Sequence, residues 1–209
     1  MRGQLVVVSA PSGAGKTTII EQVRDRMGPI GYSVSHTTRK PRQGEKDGVH
    51  YHFVSVEAFE SMIKEGAFVE WAKVYGHYYG TSRKALEEGI QKGVDILLDL
   101  DPVGAKNIKK QFPEAILIFI VPPSLAILEE RLRNRGTDSQ EVVAQRLERA
   151  REEVSEAAYY DYIVVNDDLE DAVADVMAII RAGRCRKILR LPYLKEQFNM
   201  PTIADGKKG

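Results

Sequence analysis

Residues 5–18, LVVVSAPSGAGKTT, constrain this chain more than any other stretch. Four apolar, mostly β-branched residues (Leu5, Val6, Val7, Val8) stop at Ser9, and the small residues Ala10, Pro11, Ser12, Gly13, Ala14 and Gly15 follow. Lys16, Thr17 and Thr18 then open a segment with helical character. An apolar run ended by turn residues and passing into a helix reads as a buried strand, a phosphate loop and a helix start. Small side chains let backbone N–H groups close on phosphate oxygens, and the helix N-terminus adds partial positive charge. Lys16 is placed to reach the β- and γ-phosphates, and the Thr17 hydroxyl to ligate Mg²⁺ with waters. Ala10 stands where G-x-x-x-x-G-K-[ST] has its first glycine. The pattern fixes a phosphate site and leaves the reaction open.

At 209 residues the chain is long enough for one well-cored domain with inserted lobes. Its formal net charge is zero, so no basic field marks nucleic acid as the main partner. The longest apolar run, 116–121, is too short to span a bilayer, so no membrane partner is expected. The chain passes almost directly into the phosphate loop, which reads as having no signal peptide. Cys185 is the single cysteine, which excludes an internal disulfide and fits a reducing cytoplasm. The four histidines, His36, His50, His52 and His77, show no zinc spacing. A monomer and a homo-oligomer both remain open.

Along the chain, Ile19, Ile20, Val23 and Met27 mark a helix ended by Gly28-Pro29. Residues 32–38 read as one strand, 39–48 as a charged loop punctuated by Pro and Gly, and 50–54 as a strand. Ser55 is an N-cap for a helix to 65, and 68–79 read as two short strands turning near Gly76, with Trp71 as a core aromatic. Thr81 or Ser82 caps a helix to 92. A buried strand, 95–101, ends in carboxylates; helix 103–112, strand 115–121 and helix 125–135 follow. A long helix from 136–138 to 159 carries Val143, Leu147, Ala150 and Val154 on one face. A buried strand at 162–166 precedes an amphipathic helix, 169–184, and the tail from Ile188 is expected to be loosely ordered. Apolar strands alternating with helices mean an α/β fold, a parallel sheet with helices on both faces. The span 33–83 breaks the alternation and reads as an inserted lobe.

Two further constellations suit phosphate chemistry. Asp99 and Asp101 end an apolar strand, where a carboxylate can orient Mg²⁺ through water. Arg131, Arg133, Arg135, Arg146, Arg149 and Arg151 fall in a span, 124–151, that contains no lysine. Arg131 and Arg135, and Arg146 and Arg149, are one helical turn apart. Bringing two anions together requires masking of negative charge, which guanidinium forks achieve bidentately. Salt bridges to Glu129, Glu130, Glu148 and Glu152 compete with that role and suit Arg133 and Arg151. Arg135 and Arg146 flank Gly136 and read as a mobile cationic lid.

The motifs SxTTRKPRxGExxGxxYxF, FVEW, YYGT and DLD, in this order after SAPSGAGKT, resemble guanylate kinase over residues 5–184. The resemblance implies a P-loop NTPase-type parallel sheet with a nucleotide-monophosphate-binding lobe and an arginine-rich lid. It places the domain at 1–187, with core 1–32, 84–123 and 160–187, lobe 33–83, lid region 124–159 and a tail at 188–209. It implies MgATP-dependent phosphorylation of GMP, with dGMP a second acceptor. Arg39, Arg42, Tyr51 and Tyr79 match positions that hold the GMP phosphate, and Ser35, Glu70 and Thr81 those that read guanine. Asp99 and Asp101 lie near the acceptor in that scheme. Lys16, Arg39, Arg131, Arg135 and Arg146 match the catalytic cations. Residues 9–18, Arg135 and Asn166 match the ATP site, with Asn166 near adenine. Val103, after Pro102, stands where the family usually has glutamine.

Residue chemistry points the same way. Guanine offers N1–H and N2–H₂ donors, which a carboxylate such as Glu70 complements and which adenine lacks. The acceptor phosphate has a second pKa near ~6 and is already an anionic nucleophile, so no catalytic histidine is expected. Two rivals remain: a P-loop kinase for another phosphorylated substrate such as ribose 1,5-bisphosphate, and a non-catalytic guanylate-kinase-like binding module. Glu70 and Tyr79 weigh against the first, the complete phosphate loop against the second. A P-loop regulator that hydrolyses nucleotide is a distant third.

Overall fold

The computed structural model describes residues 2–28, 30–32, 34–42, 44–74, 76–134 and 139–199. Strand β1 (Leu5–Ser9) is buried along its whole length and passes through the phosphate loop into helix α1 (Lys16–Met27). Strand β2 (Ile30–Tyr32) returns to the same sheet. The next segment builds a second sheet from β3 (His36–Thr37), β4 (His52–Phe53), β5 (Phe68–Val74) and β6 (His77–Ser82), with helix α2 (Val56–Lys64) between β4 and β5. The chain then alternates: α3 (Arg83–Gln91), β7 (Asp95–Asp99), α4 (Pro102–Gln111), β8 (Ile116–Val121), α5 (Leu125–Asn134) and α6 (Gln140–Ser155). A 3₁₀ turn (Glu156–Tyr159), β9 (Tyr162–Val165), α7 (Leu169–Arg184) and α8 (Lys187–Gln197) complete it.

The main sheet has the order β2-β7-β1-β8-β9, and every pairing in it is parallel. Strand β1 sits at its centre, so both of its faces must be covered, and its apolar run is continuous for that reason. Val6 and Val8 face Ile19, Ile20 and Val23 of α1 and Val173, Val176 and Ile180 of α7. Leu5 and Val7 face the other side, with Leu86 and Ile90 of α3 and Ala105 and Ile108 of α4. A separate cluster of Leu128, Leu132, Val143 and Ala150 joins α5 to α6. Away from the phosphate loop, the Asp95 carboxylate accepts bonds from Gln4 N (3.0 Å), Gln4 Nε2 (3.2 Å) and Arg184 Nε (2.5 Å).

The second sheet, ordered β4-β3-β6-β5, packs against α2 through Phe59, whose ring stacks on Phe68 at 4.4 Å and Tyr78 at 5.2 Å. The Ser55 hydroxyl caps α2 by accepting from Ala58 N, as expected for its place before a helical run. Ser82, not Thr81, caps α3.

Several expectations are corrected. The single strand at 32–38 is two strands in different sheets, because the chain leaves the core sheet after β2 and enters the lobe at β3. Trp71 is 45% exposed, since β5 is an edge strand. The expected buried strand at 162–166 is an edge strand in which Ile163 is 55% and Val165 50% exposed. Val154 is also exposed, unlike Val143 and Ala150 on the same helix. Of the tail expected to be loose, residues 188–197 lie in α8, with Pro192 inside it, and residues 200–209 lie outside the described residues.

Candidate nucleotide site

The phosphate loop gathers its functional groups by backbone conformation. Gly13 and Gly15 have φ of 96° and 92°, values that suit glycine alone, and a Cβ at Gly15 would stand 2.3 Å from Asn166 Nδ2. Ala10 has no positive φ and leans on the core, which explains why alanine serves where the pattern has glycine. Helix α1 begins at Lys16 with no side-chain cap and no acid in its first turn, so its first N–H groups are left for an anion.

Residues Ala10, Pro11, Ser12, Gly13, Gly15, Lys16, Thr17 and Thr18 line a cleft of about 410 Å³, closed by Asp101, Pro102, Arg146, Arg149 and Glu153. Thr17 and Thr18 are exposed to it, while Ser9 and Ala14 are buried beneath. Lys16 Nζ contacts Asp99 Oδ1 at the end of β7. Arg149 Nε donates to Glu153 Oε1 at 3.0 Å, and Arg146 lies a turn away on the same wall. Arg133 pairs with Glu129, and Arg151 with Glu148, as solvated ion pairs. Arg135 lies outside the described residues.

Asn166, at the end of β9, supports the loop from behind. Its Nδ2 donates to Ala14 O at 2.7 Å, and its carbonyl accepts from Arg131 at 3.0 Å. With Gly13, Gly15, Thr18, Arg131, Asn134, Asp167 and Leu169 it also lines an open cavity of about 450 Å³ beside the loop.

On the lobe, Arg39 forms a two-pronged bridge to Glu45, with Nη2 to Oε1 at 2.8 Å and Nη1 to Oε2 at 2.9 Å. Glu45 also accepts from Arg42 N at 2.6 Å, and the Arg39 fork holds its carboxyl down to about 2. The Arg39 guanidinium lies 5.4 Å from the Tyr51 ring centre, and Tyr51 meets Tyr79 edge to face at 5.9 Å. Sequence reasoning passed over Glu45; an acid six residues after Arg39, in a Gly-punctuated loop, was the available signal.

Glu70 and Thr81 are cross-strand partners on β5 and β6, and Thr81 Oγ1 donates to Glu70 Oε1 at 2.6 Å. Burial pushes the Glu70 carboxyl above its usual range; the Thr81 bond opposes this and the nearby Asp101 charge adds to it. Ser35 stands one residue before the His36–Gly80 pair on the neighbouring strand. Glu70, Asp101, Val103, Gly104, Asn107 and Arg149 are among the residues around a second cleft, of about 400 Å³. Asp101 and Arg149 belong to both clefts, so the phosphate loop and Glu70 open onto one shared wall. Asp101 is fixed there as the N-cap of α4, with Oδ1 accepting from Gly104 N at 2.7 Å. No histidine lines either cleft.

Hard oxygen donors gather at the phosphate cleft: Thr17, which is exposed, and Asp101 line it, and the Asp99 carboxylate contacts Lys16 of the same loop. Among the described residues no group of three His, Cys, Asp or Glu could hold a metal alone. Such a set suits a cation whose other ligands are phosphate and water.

The family model for guanylate kinase matches residues 2–183. A guanylate kinase of Carboxydothermus hydrogenoformans is 50% identical over 185 residues, 88% of this chain and 91% of that protein. One from Shewanella violacea is 53% identical over 88% of this chain and 89% of its own length. One from Mannheimia succiniciproducens is 51% identical over 94% of both. Among solved structures, guanylate kinase from Anaplasma phagocytophilum matches with a TM-score of 0.73 at 33% identity, covering 96% of this chain and 97% of that one.

Proposed function

This chain belongs to the guanylate kinase family, and from that premise we propose how its own residues carry a phosphoryl group from ATP to GMP. The enzyme converts ATP and GMP to ADP and GDP, with dGMP as a second acceptor. An oxygen of the GMP phosphate attacks the γ-phosphorus, and the bond to the β–γ bridging oxygen breaks, leaving its electron pair on ADP. No proton has to move, because the acceptor is already anionic. The protein's task is to align two polyanions and offset their repulsion.

The α1 N-terminus and Lys16 hold the β- and γ-phosphates, with Lys16 exchanging its Asp99 contact for phosphate. Thr17, with Asp99 and Asp101 in support, would hold Mg²⁺ together with waters, and the ion would supply positive charge against the polyphosphate. Arg146 serves the transferring group from the cleft wall, with Arg131, which lines the adjoining cavity, and Arg135 as further cations. Arg39, Arg42, Tyr51 and Tyr79 hold the GMP phosphate; Glu45 keeps Arg39 extended and aimed until phosphate arrives. Glu70 Oε1 is engaged by Thr81, which leaves Oε2 for the guanine N–H edge, with Ser35 beside it. Asn166 keeps the ATP side of the loop in shape.

The lobe at 33–83 and the lid at 124–159 work on the core 1–32, 84–123 and 160–187, with 188–209 following. No described helix is long and apolar enough to cross a membrane, and we place the enzyme in the cytoplasm.

The observation that carries this reading is the shared wall, with Asp101 bordering both the phosphate-loop cleft and the Glu70 cleft. A ribose bisphosphate has no base for the Glu70–Thr81 pair to read, and a binding module has no use for an intact Lys16-Thr17. The test is ADP release from MgATP in the presence of GMP, dGMP, AMP, UMP or ribose 1,5-bisphosphate. Turnover with the guanine nucleotides alone is expected; brisk turnover with AMP or UMP and none with GMP would overturn it.

A further inference from the structure

Arg39 has an acceptor phosphate to hold, yet a carboxylate already occupies part of it. The Arg39–Glu45 pair is largely shielded, with 13% and 18% of the two side chains exposed, so it is no solvated surface bridge. A guanidinium has five N–H donors in a fixed plane, and here three are engaged. Both Nη1 hydrogens are taken, one by Lys40 O at 2.8 Å and one by Glu45 Oε2 at 2.9 Å. One Nη2 hydrogen goes to Glu45 Oε1 at 2.8 Å. The second Nη2 hydrogen and Nε–H are left, side by side on one edge of the plane. That edge is itself a two-pronged fork for phosphate oxygens. The Tyr79 hydroxyl lies near enough to accept from Arg39, and with three donors engaged the edge is what it meets. The open edge therefore faces a residue matched to the GMP phosphate.

Glu45 is committed just as fully. Its Oε2 accepts from Arg42 N at 2.6 Å as well as from Arg39, and Glu45 N donates to Arg42 O at 3.0 Å. One carboxylate thus ties together both arginines matched to the acceptor phosphate, Arg39 through its side chain and Arg42 through its backbone. Arg39 N is anchored in turn, donating to Thr37 Oγ1 at 3.2 Å. The ring centres of Tyr51 and Phe53 lie 5.4 Å and 5.8 Å from the guanidinium carbon. Arg39 is held at its root and its tip and flanked by rings, with the Nε–Nη2 edge left open.

An arriving phosphate has two routes: it displaces Glu45, or it takes the edge that Glu45 leaves open. Displacement breaks three bonds to the carboxylate and leaves it charged without those partners. A phosphate on Arg39 restores nothing to Arg42 N. We propose that Glu45 is a positioning residue for the acceptor phosphate: it stays on Arg39 when GMP binds and presents the Nε–Nη2 edge to the phosphate oxygens. Carboxylate and phosphate then sit on different edges of one cation. This deepens the ATP–GMP reading above and rests on it.

The test uses the full chain as wild type, Glu45→Gln and Glu45→Ala, titrated without ATP against GMP and against guanosine. NMR titration reads the millimolar affinities that guanosine requires, and guanosine keeps the base while lacking the phosphate. Glu45→Ala is expected to raise Kd for GMP about five- to tenfold, because the ligand must now order a long side chain itself. Kd for guanosine should change less than about twofold. Glu45→Gln keeps one oxygen for the guanidinium and should fall between wild type and Glu45→Ala. In turnover, KM for GMP should rise in both variants while KM for ATP holds. Removing a negative charge beside a phosphate site by itself tightens phosphate, so a lower Kd for GMP in Glu45→Ala would show displacement and overturn the proposal. An unchanged Kd for GMP, or equal weakening of GMP and guanosine, would overturn it as well. Failure of wild type to bind either guanine compound would sink the substrate assignment instead. Inorganic phosphate in the same titrations would then read the Arg39 edge, with weaker binding in Glu45→Ala supporting the proposal and equal or tighter binding refuting it.

Discussion

Replacing Glu70 by glutamine isolates guanine reading from everything else in the site. In the structure one carboxylate oxygen accepts from Thr81 at 2.6 Å, leaving the other for the guanine edge. Glutamine preserves shape but removes charge. The Thr81 hydroxyl can rotate to accept from the new amide nitrogen, which turns the amide oxygen toward guanine, so a bond survives without charge assistance. A hydrogen bond to a charged group is worth about 1.5–3 kcal/mol and the neutral one that replaces it about 0.5–1.5, so kcat/KM for GMP should fall about 5- to 15-fold. KM for ATP should change less than about twofold, because Glu70 does not border the phosphate loop. Stability should hold or rise near neutral pH. With its pKa raised in the folded state, the carboxyl binds protons more readily folded than unfolded, so its ionisation on raising the pH works against folding, and the amide removes that penalty. The same shift sets a pH signature: GMP binding needs the carboxylate, so affinity should weaken on acidification from above the ordinary carboxylate range. The Glu70→Gln variant should show no such step. Steady-state kinetics against both substrates, repeated across pH, measure all of this. Equal losses for GMP and ATP, or a wild-type profile without the acidic step, would refute the base-reading role.

Two other substitutions probe the loop. Lys16→Ala should lower kcat by about 100- to 1,000-fold, the usual effect of deleting one preorganised electrostatic contact, while circular dichroism shows a folded protein. Asn166→Ala strands the buried Ala14 carbonyl, and should cost about 2 kcal/mol, a fall of roughly 4–8 °C in Tm, together with weaker ATP binding.

The phosphate loop and the parallel sheet were legible because their signals are local. A β-branched run beside glycines needs no distant partner to be read, and alternation of strands with helices dictates the layers. What escaped was decided by tertiary placement. Residues 32–38 look like one strand because nothing in their composition says that Tyr32 and His36 belong to different sheets. Trp71 and Ile163 look like core residues, and each is exposed because its strand happens to be an edge. Asn166 was expected at the ATP site, yet its bond to a carbonyl 152 residues away was not legible. Glu45 was hidden in a loop rich in charge, where any acid looks like solvent decoration. The first part of the tail was misjudged on a proline, Pro192, which sits within α8.

Strand β7 begins and ends with the same residue type, and the two aspartates have opposite fates. Asp95, 6% exposed, is locked by Gln4 and Arg184 into the frame. Asp99 pairs instead with Lys16 of the phosphate loop. A sheet of parallel strands has a head and a tail: helices start at one and finish at the other. Near its tail a carboxylate sits beside the finishing turn of α7 and is held as mortar, with an arginine from that turn to balance it. Near its head the same carboxylate faces the starting turn of α1 and is kept on loan. Strand polarity alone has sorted one side chain into masonry and the other into machinery.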